Sequence, residues 1–590
     1  MFEKKSILVY DIECDSLDTS TSVLKWFGAY SYFDNEYYLF PFKGNEKDVI
    51  ALIRRHKVLV SFNGKNFDNH ILINNIGDDD LFEYKVLVDL YEISAPKGSG
   101  SFGAYNKGRL VQMGIKMKNF TLRSIIDNLK LDEDGTKGDI DYTIFQKDKW
   151  TPEESAEILK YLKQDIVLTK KLLEWYEVQF SPLKKFLSEK DRDNLLYLKS
   201  SLAVLGYKII CNKAGLEADF GEKTKREPYA GGHHISNRED ITKGNIVEID
   251  IVSAYPHALM MGNLYSPAAD GWSGSGFYQL EGKYNAQHQG KVELALKEIF
   301  LERLKAKKDG DKPKDKSFKV VINSVYGLTG NPVFKSLYNR TSASDCTSMV
   351  RTWLKTLAKR LEAVGFIPLY GFTDSIFVKV PEGYSKKHLM YIVKRFVKDV
   401  KESVPFPMDT FNLGIEEEIK MIWFVAKNCY LFVTHDDKVV AKSTLLNTNT
   451  PKVIMMVYED YMKPKIIKEL DINFTEKELE DQIKLIISND SKLAAVEYKV
   501  TELTDYKVQT SLHYQISEAY GSGRHFLIPN KKGIGVGKKK NTKNKIAVRH
   551  CSIEEYNEKK LTVDDIDLTN LLSHLKPFIL ATKSHLSARN

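Results

Sequence analysis

Apolar and polar residues alternate with a period of two in some runs of the chain and with a period near 3.6 in others. Ile7 to Tyr10, Val58 to Phe62, Asn245 to Val252 and Ile376 to Val380 predict strands. Glu153 to Trp175 and Thr352 to Val364 predict helices. Val247, Ile249 and Ile251 alternate with Glu248 and Asp250, so a strand here buries the first set and turns Asp250 to the opposite face. Val292 to Lys308 predicts a helix with Leu296, Ile299, Phe300 and Leu304 as its apolar stripe, ending at Asp309-Gly310. After a lysine-rich loop broken by Pro313, a second helix carries Lys319, Asn323 and Tyr326 at spacings of four and three, all on one side. The pattern is mixed α/β, without a repeat of fixed period. Polar stretches around 179–195 and 430–450 are the expected domain junctions.

A chain of 590 residues is too long for one growing core, so several domains are expected. With 43% apolar and 11% aromatic residues, and no apolar run near a membrane span, the chain reads as folded, intracellular and cytoplasmic, with no membrane partner. The apolar run before Tyr10 is too short for a signal peptide. Five scattered cysteines show no metal-ligand spacing and imply neither a disulfide partner nor a zinc or iron–sulfur site. The formal charge of +8 is modest, but its distribution points to phosphates: a basic stretch runs from Arg303 to Lys319, and seven lysines crowd into Lys531 to Lys545.

Two sets of acidic residues carry chemistry. Asp11 and Glu13, at i and i+2 of a strand, share one face. Asp68 follows a second strand and a glycine turn, Asn63-Gly64-Lys65-Asn66-Phe67. Thr151-Pro152-Glu153-Glu154 opens a helix by a capping box, and that helix carries Tyr161 and Asp165 one turn apart. Four carboxylates converging from two strands and a helix suit phosphodiester hydrolysis with two metal ions, with Tyr161 orienting a water. These residues resemble the three exonuclease motifs of DnaQ-like proofreading domains: Asp11-x-Glu13, Asn63-x-x-x-Phe67-Asp68 and Tyr161-x-x-x-Asp165. Thr121-Leu122 and Lys137-Gly138-Asp139-Ile140 resemble the primer-end-binding and lysine motifs of those domains, the latter most like the protein-primed branch of family B.

The second set begins at Asp250. Asp250-x-x-Ser253-Ala254-Tyr255-Pro256 resembles motif A of family B DNA polymerases, with Ala254 where leucine is usual. The resemblance gives Asp250 the metals and places Tyr255 under the sugar, excluding a 2′-hydroxyl. Lys319-x-x-x-Asn323-Ser324-x-Tyr326-Gly327 resembles motif B with no departure at its signature positions. A triphosphate needs cationic clamps, for which Arg303, Lys307 and Lys319 are the candidates. Tyr370-Gly371-Phe372-Thr373-Asp374-Ser375 resembles motif C, with Phe372 in place of the first aspartate. In that family the second aspartate pairs with the motif A acid across the metals, a role the resemblance gives to Asp374 beside Asp250. Tyr229-x-Gly231-Gly232 resembles the template-contact element, and Lys427-Asn428-Cys429-Tyr430 the primer-contact element without its second lysine.

The resemblance, which covers residues 1 to about 430, implies a family B DNA polymerase: an RNase H-like exonuclease followed by a right-hand palm, fingers and thumb. The expected division is 1–178 exonuclease; 179–285 linker helices and first palm part; 286–335 fingers; 336–440 second palm part; 441–590 thumb, the last by position alone. No separate N-terminal domain is expected, since the first strand begins at Ile7. The implied substrates are dNTPs, primer-template DNA and a single-stranded DNA 3′ end, with two Mg²⁺ or Mn²⁺ ions per site and with processivity, helicase or primase factors as further partners. Only 69 positions separate Asp250 from Lys319, and 55 separate Lys319 from Asp374, which disfavours priming by a terminal protein. The compact outline suggests a virus or mobile element. Three readings compete: a proofreading replicase, an exonuclease on a polymerase scaffold silenced by Phe372, and a DNA-binding replication factor with neither activity.

Overall fold

The computed structural model describes residues 6–95, 108–113, 115, 117, 119–132, 140–193, 195–222, 224, 227–232, 234–236, 241–266, 271–273, 277–426, 429–442, 450–500, 512–520, 523–532, 535–536 and 549–580. The chain forms two compact units. One comprises Met1–Gly231, Ser253–Met349 and Ser403–Met408; the other comprises Gly232–Val252, Val350–Glu402 and Asp409–Asn590.

The first unit holds a five-stranded sheet of β1 (Ile7–Cys14), β2 (Leu24–Ser31), β3 (Glu36–Pro41), β4 (Val58–Ser61) and β5 (Val86–Asp89), in the order β3-β2-β1-β4-β5. β1, β2 and β3 are joined antiparallel, while β4 runs parallel to β1 and β5 parallel to β4. Around the sheet lie α1 (Asp68–Ile76), α2 (Leu90–Ser94), α3 (Leu122–Leu129) and α4 (Pro152–Phe180). The capping box expected at Thr151 and Glu154 is present, with Pro152 in the first turn of α4.

Further helices of this unit are α5 (Leu202–Ala214), α6 (Ala254–Gly262), α7 (Lys291–Lys308) and α8 (Lys312–Thr329). Pro313 does not break a loop: it lies in the first turn of α8, where its missing N–H costs nothing, and the Asp311 side chain caps that turn through Lys314 N. Helix α9 (Arg340–Glu362) begins at Arg340 rather than at Thr352. Its first half is polar because its side chains hold loops instead of filling a core. Ser342 donates to Leu264 O, Thr347 donates to Ala230 O at 2.8 Å, and Asp345 accepts from Glu281 N and Gly282 N. An apolar period therefore cannot reveal it.

The second unit holds a fully antiparallel seven-stranded sheet of β6 (His234–Ser236), β7 (Ile241–Ile251), β8 (Ile367–Phe372), β9 (Ser375–Lys379), β10 (Leu413–Ala426), β11 (Cys429–Thr434) and β12 (Val439–Lys442), in the order β12-β11-β10-β7-β9-β8-β6. The expected junction near 430–450 is thus corrected over its first part. Residues 429–442 are a hairpin of this sheet, and their polarity belongs to the exposed turn at Asp436 and Asp437. Helix α10 (Lys386–Glu402) is tied to α9 by Arg360, which donates to Asp399 at 2.5 Å and lies over the Phe396 ring. Toward the C-terminus, β13 (Val496–Val500), β14 (Gly523–Asn530) and β15 (Arg549–Cys551) form a small sheet. Its surrounding helices share one core with Trp423 and Leu431 through Phe474, Ile483 and Phe578. Among the described residues no helix is long and apolar enough to cross a membrane.

Candidate active sites

The first site lies where α4 crosses β1 and β2. Gly28 of β2 is the register partner of Asp11, and a Cβ there would come 2.6 Å from Ile166 and 2.7 Å from Leu162 of α4. This close approach brings Asp165 to the strand. One carboxylate oxygen from each of Asp11, Glu13 and Asp165 lies within 4.8 Å of the others. Asp68, the first residue of α1, is buried, and its carboxyl is held well above the usual range by burial and then by the charges of Asp11 and Asp89. Buried acids this close repel one another unless a cation neutralises them. The all-oxygen donor set fits Mg²⁺ or Mn²⁺.

Tyr161 lies one turn before Asp165. Burial and the Asp165 charge push its phenol up, so it remains a hydrogen-bond donor at neutral pH. Its hydroxyl meets that of Tyr142 at 2.9 Å, with the rings edge to face. Tyr142, which no sequence pattern singled out, is 65% exposed. Asn63 takes a left-handed backbone conformation in the turn before Phe67. Thr121 caps α3 through Ser124 N, and Leu122 is buried behind it. Lys137 lies outside the described residues.

The second site is built within one sheet. Asp250 of β7 pairs with Ser375 on β9 and with Gly414 on β10. Asp374 sits in the tight β8–β9 turn, where Thr373 has φ 59°, and its carbonyl accepts the Ile251 N–H at 2.9 Å. The turn is therefore stitched to the end of β7. Burial pushes the Asp250 carboxyl up to about 7, helped by the charges of Asp374, Glu416 and Glu248. Asp374 is raised too, by burial and by Glu416. Glu416 went unnoticed in the sequence because it sits at a register irregularity of β10, between Ile415 and Glu417.

Phe372 pairs with Ser375 across the turn, and its ring packs against the aromatic cluster of Tyr370, Phe377, Phe424, Tyr430 and Phe432. The side chain at this position extends a core. Tyr430 belongs to the same cluster and is 6% exposed. Lys427 lies outside the described residues.

In the first unit, the Tyr255 and Tyr326 rings stack with centroids 4.3 Å apart and planes 12° from parallel. The Tyr326 hydroxyl meets that of Tyr229 at 3.1 Å. Three separate sequence elements thus form one aromatic assembly. The backbone of its first element is held by α9, with Thr347 donating to Ala230 O and Arg340 to Pro228 O. Gly231 closes this segment, and Gly232 belongs to the second unit. Lys319 and Asn323 are exposed on α8 and Lys307 on α7, whereas Arg303 is half-buried and paired with Asp315 across the two helices at 3.0 Å.

An all-oxygen acid cluster thus lies on a mixed sheet, and a second pair of acids on an antiparallel one. Residues 8–177 match the RNase_H superfamily and residues 300–532 match DNA polymerase family B. The chain is thus similar in its N-terminal part to RNase H-like domains and in its later part to family B DNA polymerases. It is 23% identical over 299 residues to the DNA polymerase of Thermococcus gorgonarius, a stretch covering 48% of this chain and 37% of that one. It is 30% identical over 206 residues to DNA polymerase 1 of Saccharolobus solfataricus, covering 33% and 21%. The chain thus aligns with little more than a third of the first of these relatives and about a fifth of the second. The fold is similar to that of the family B DNA polymerase from Pyrobaculum calidifontis, with a TM-score of 0.52 and 16% identity over 98% of this chain and 77% of the other. The family B match begins within α7 and so excludes Asp250, whose assignment rests on its strand pairing beside Asp374.

Proposed function

We propose that the chain extends a DNA primer along a template and removes mispaired 3′ ends with its own 3′–5′ exonuclease. The antiparallel register that sets Asp250 beside the Asp374 turn carries this reading, because it supplies the acid pair despite Phe372. Asp250 and Asp374 in one site, and Asp11, Glu13, Asp68 and Asp165 in the other, would each hold two Mg²⁺ or Mn²⁺ ions. When bound, these ions supply the positive charge that activates the attacking oxygen and stabilises the leaving one.

The protein's own groups do the rest. Lys307, Lys319 and Arg303, the last oriented by Asp315, receive the triphosphate of a dNTP. Tyr255, braced by its stack on Tyr326, forms the wall that rejects a 2′-hydroxyl. In the exonuclease, the Tyr161 hydroxyl orients the water, while Asn63, Phe67, Thr121, Leu122 and Lys137 grip the single-stranded end. Tyr229, Gly231, Gly232, Lys427 and Tyr430 track primer and template, and the seven lysines of 531–545 add salt-dependent contact with phosphates. The five-part division set out from the sequence is the domain map we propose. Replication of a viral or mobile-element genome is the setting we propose, in keeping with the short spacings from Asp250 to Lys319 and from Lys319 to Asp374.

Phe372 favours a second reading, an active exonuclease on a silent polymerase scaffold. Extension of a 5′-labelled primer with Mg²⁺, with and without dNTPs, separates the two. Growth that Asp250→Ala abolishes, with shortening that Asp68→Ala abolishes, supports the replicase. Shortening without growth under any dNTP condition leaves the exonuclease alone.

A further inference from the structure

Asp89 ends β5 beside Ser61, the residue at which β4 gives way to the turn carrying Asn63 and Phe67. Its side chain is buried, and it accepts four backbone N–H groups. One oxygen takes Asn63 N at 2.9 Å, Tyr91 N at 2.9 Å and Glu92 N at 3.3 Å, and the other takes Lys65 N at 3.1 Å. Half of these bonds cap α2, and half hold the turn. The turn is folded tightly onto the acid it presents. Asn63 is left-handed, Asn69 N donates to Gly64 O at 2.8 Å, and a Cβ on Gly64 would come 2.3 Å from Ser61 Oγ and 2.9 Å from Asp68 Oδ2. A carboxylate accepting several backbone N–H groups in a buried place fixes their directions more firmly than a neutral acceptor would.

We infer that Asp89 is a positioning residue of the exonuclease: it sets the Asn63–Phe67 turn at the angle that receives a single-stranded 3′ end beside Asp68. This rests on the exonuclease reading above. Asp89 neither binds the DNA nor takes part in the bond cleavage. Its function is distinct from helix capping, and one substitution separates the two. Serine is a favoured cap and would keep the start of α2, but its hydroxyl is too short to reach Asn63 N and Lys65 N.

The test measures shortening of a 5′-labelled single-stranded oligodeoxynucleotide by wild type, Asp89→Ser, Asp89→Ala and Asp89→Asn, with primer extension by the same proteins as the check on folding. Asp89→Ser and Asp89→Ala are expected to raise KM for the oligonucleotide about tenfold with kcat changed less than about threefold, and to extend primers as wild type does. Asp89→Asn keeps the cap of α2 through one carbonyl oxygen but sets its NH2 against Lys65 N, so with the cap intact it too is expected to raise KM about tenfold. Wild-type shortening by Asp89→Ser, with only Asp89→Ala impaired, would reduce Asp89 to a cap and overturn the inference. If Asp89→Ser loses extension as well, Asp89→Asn decides: a tenfold rise in its KM with extension intact upholds the role, and an unchanged KM overturns it. A wild type that shortens nothing sinks the exonuclease reading itself, a separate outcome.

Discussion

The acids on β1 meet their partner through a helix that begins about 140 residues later, whereas Asp250 lies on a strand of one sheet and Asp374 in the turn that leads into the neighbouring strand. The first arrangement depends on packing, since α4 must reach the sheet where Gly28 leaves room for it. The second depends on backbone pairing, which fixes the acids whatever side chain stands at Phe372. The first site is also deeper: Glu13, Asp68 and Asp165 are buried, while Asp250 and Asp374 are half-buried and Glu416 is exposed. A site assembled by helix packing should be broken by volume, and a site assembled by strand register chiefly by removing its charges.

The largest effects should come from the acids themselves. Asp250→Ala or Asp374→Ala should lower primer extension by about a thousandfold or more and leave shortening intact, while Asp68→Ala should do the reverse, as gel assays of both activities would show. Loss of both activities from one substitution would break the separation between the sites. Next comes Gly28→Val, which drives a side chain into Leu162 and Ile166. It should cost about 1–3 kcal/mol of stability by overpacking and reduce shortening about a hundredfold while extension persists.

A smaller effect is set by pH. The Asp250 carboxyl sits at about 7 when folded and near its ordinary 3.8 when unfolded. Between those values the folded chain keeps a proton that the unfolded chain releases, so metal-free stability should fall as pH rises from about 4 to about 7 and level off above. Glu416→Gln removes one of the repelling charges and should flatten the slope, measured as the urea midpoint at a series of pH values. A steeper slope would contradict the charge repulsion of Glu416 on Asp250. The smallest change in rate is expected from Phe372→Asp. Extension should stay within about threefold of wild type, while loss of aromatic packing lowers stability by about 1–2 kcal/mol. A large gain in extension would mean that register alone does not complete the second site.

Much of this was legible in the sequence because strand and helix periods are local. The i and i+2 spacing of Asp11 and Glu13, the capping box at Thr151, the alternation around Asp250 and the i and i+4 spacing of Tyr161 and Asp165 all reappear in the folded chain. Such patterns follow from the pitch of each element and need no knowledge of its neighbours. The closeness of Asp11, Glu13 and Asp165, by contrast, came only with tertiary contact. Gly28 was an unremarked residue in an apolar run until α4 lay on it. Glu416 was hidden by a register irregularity, which shifts the face its side chain occupies. Asp89 carried no motif, since its role comes from backbone groups on two other segments, and the polar first half of α9 has no apolar period because it binds loops. Local periodicity determined which residues share a face; only packing and strand register decided which faces meet, because those depend on atoms far apart in the chain.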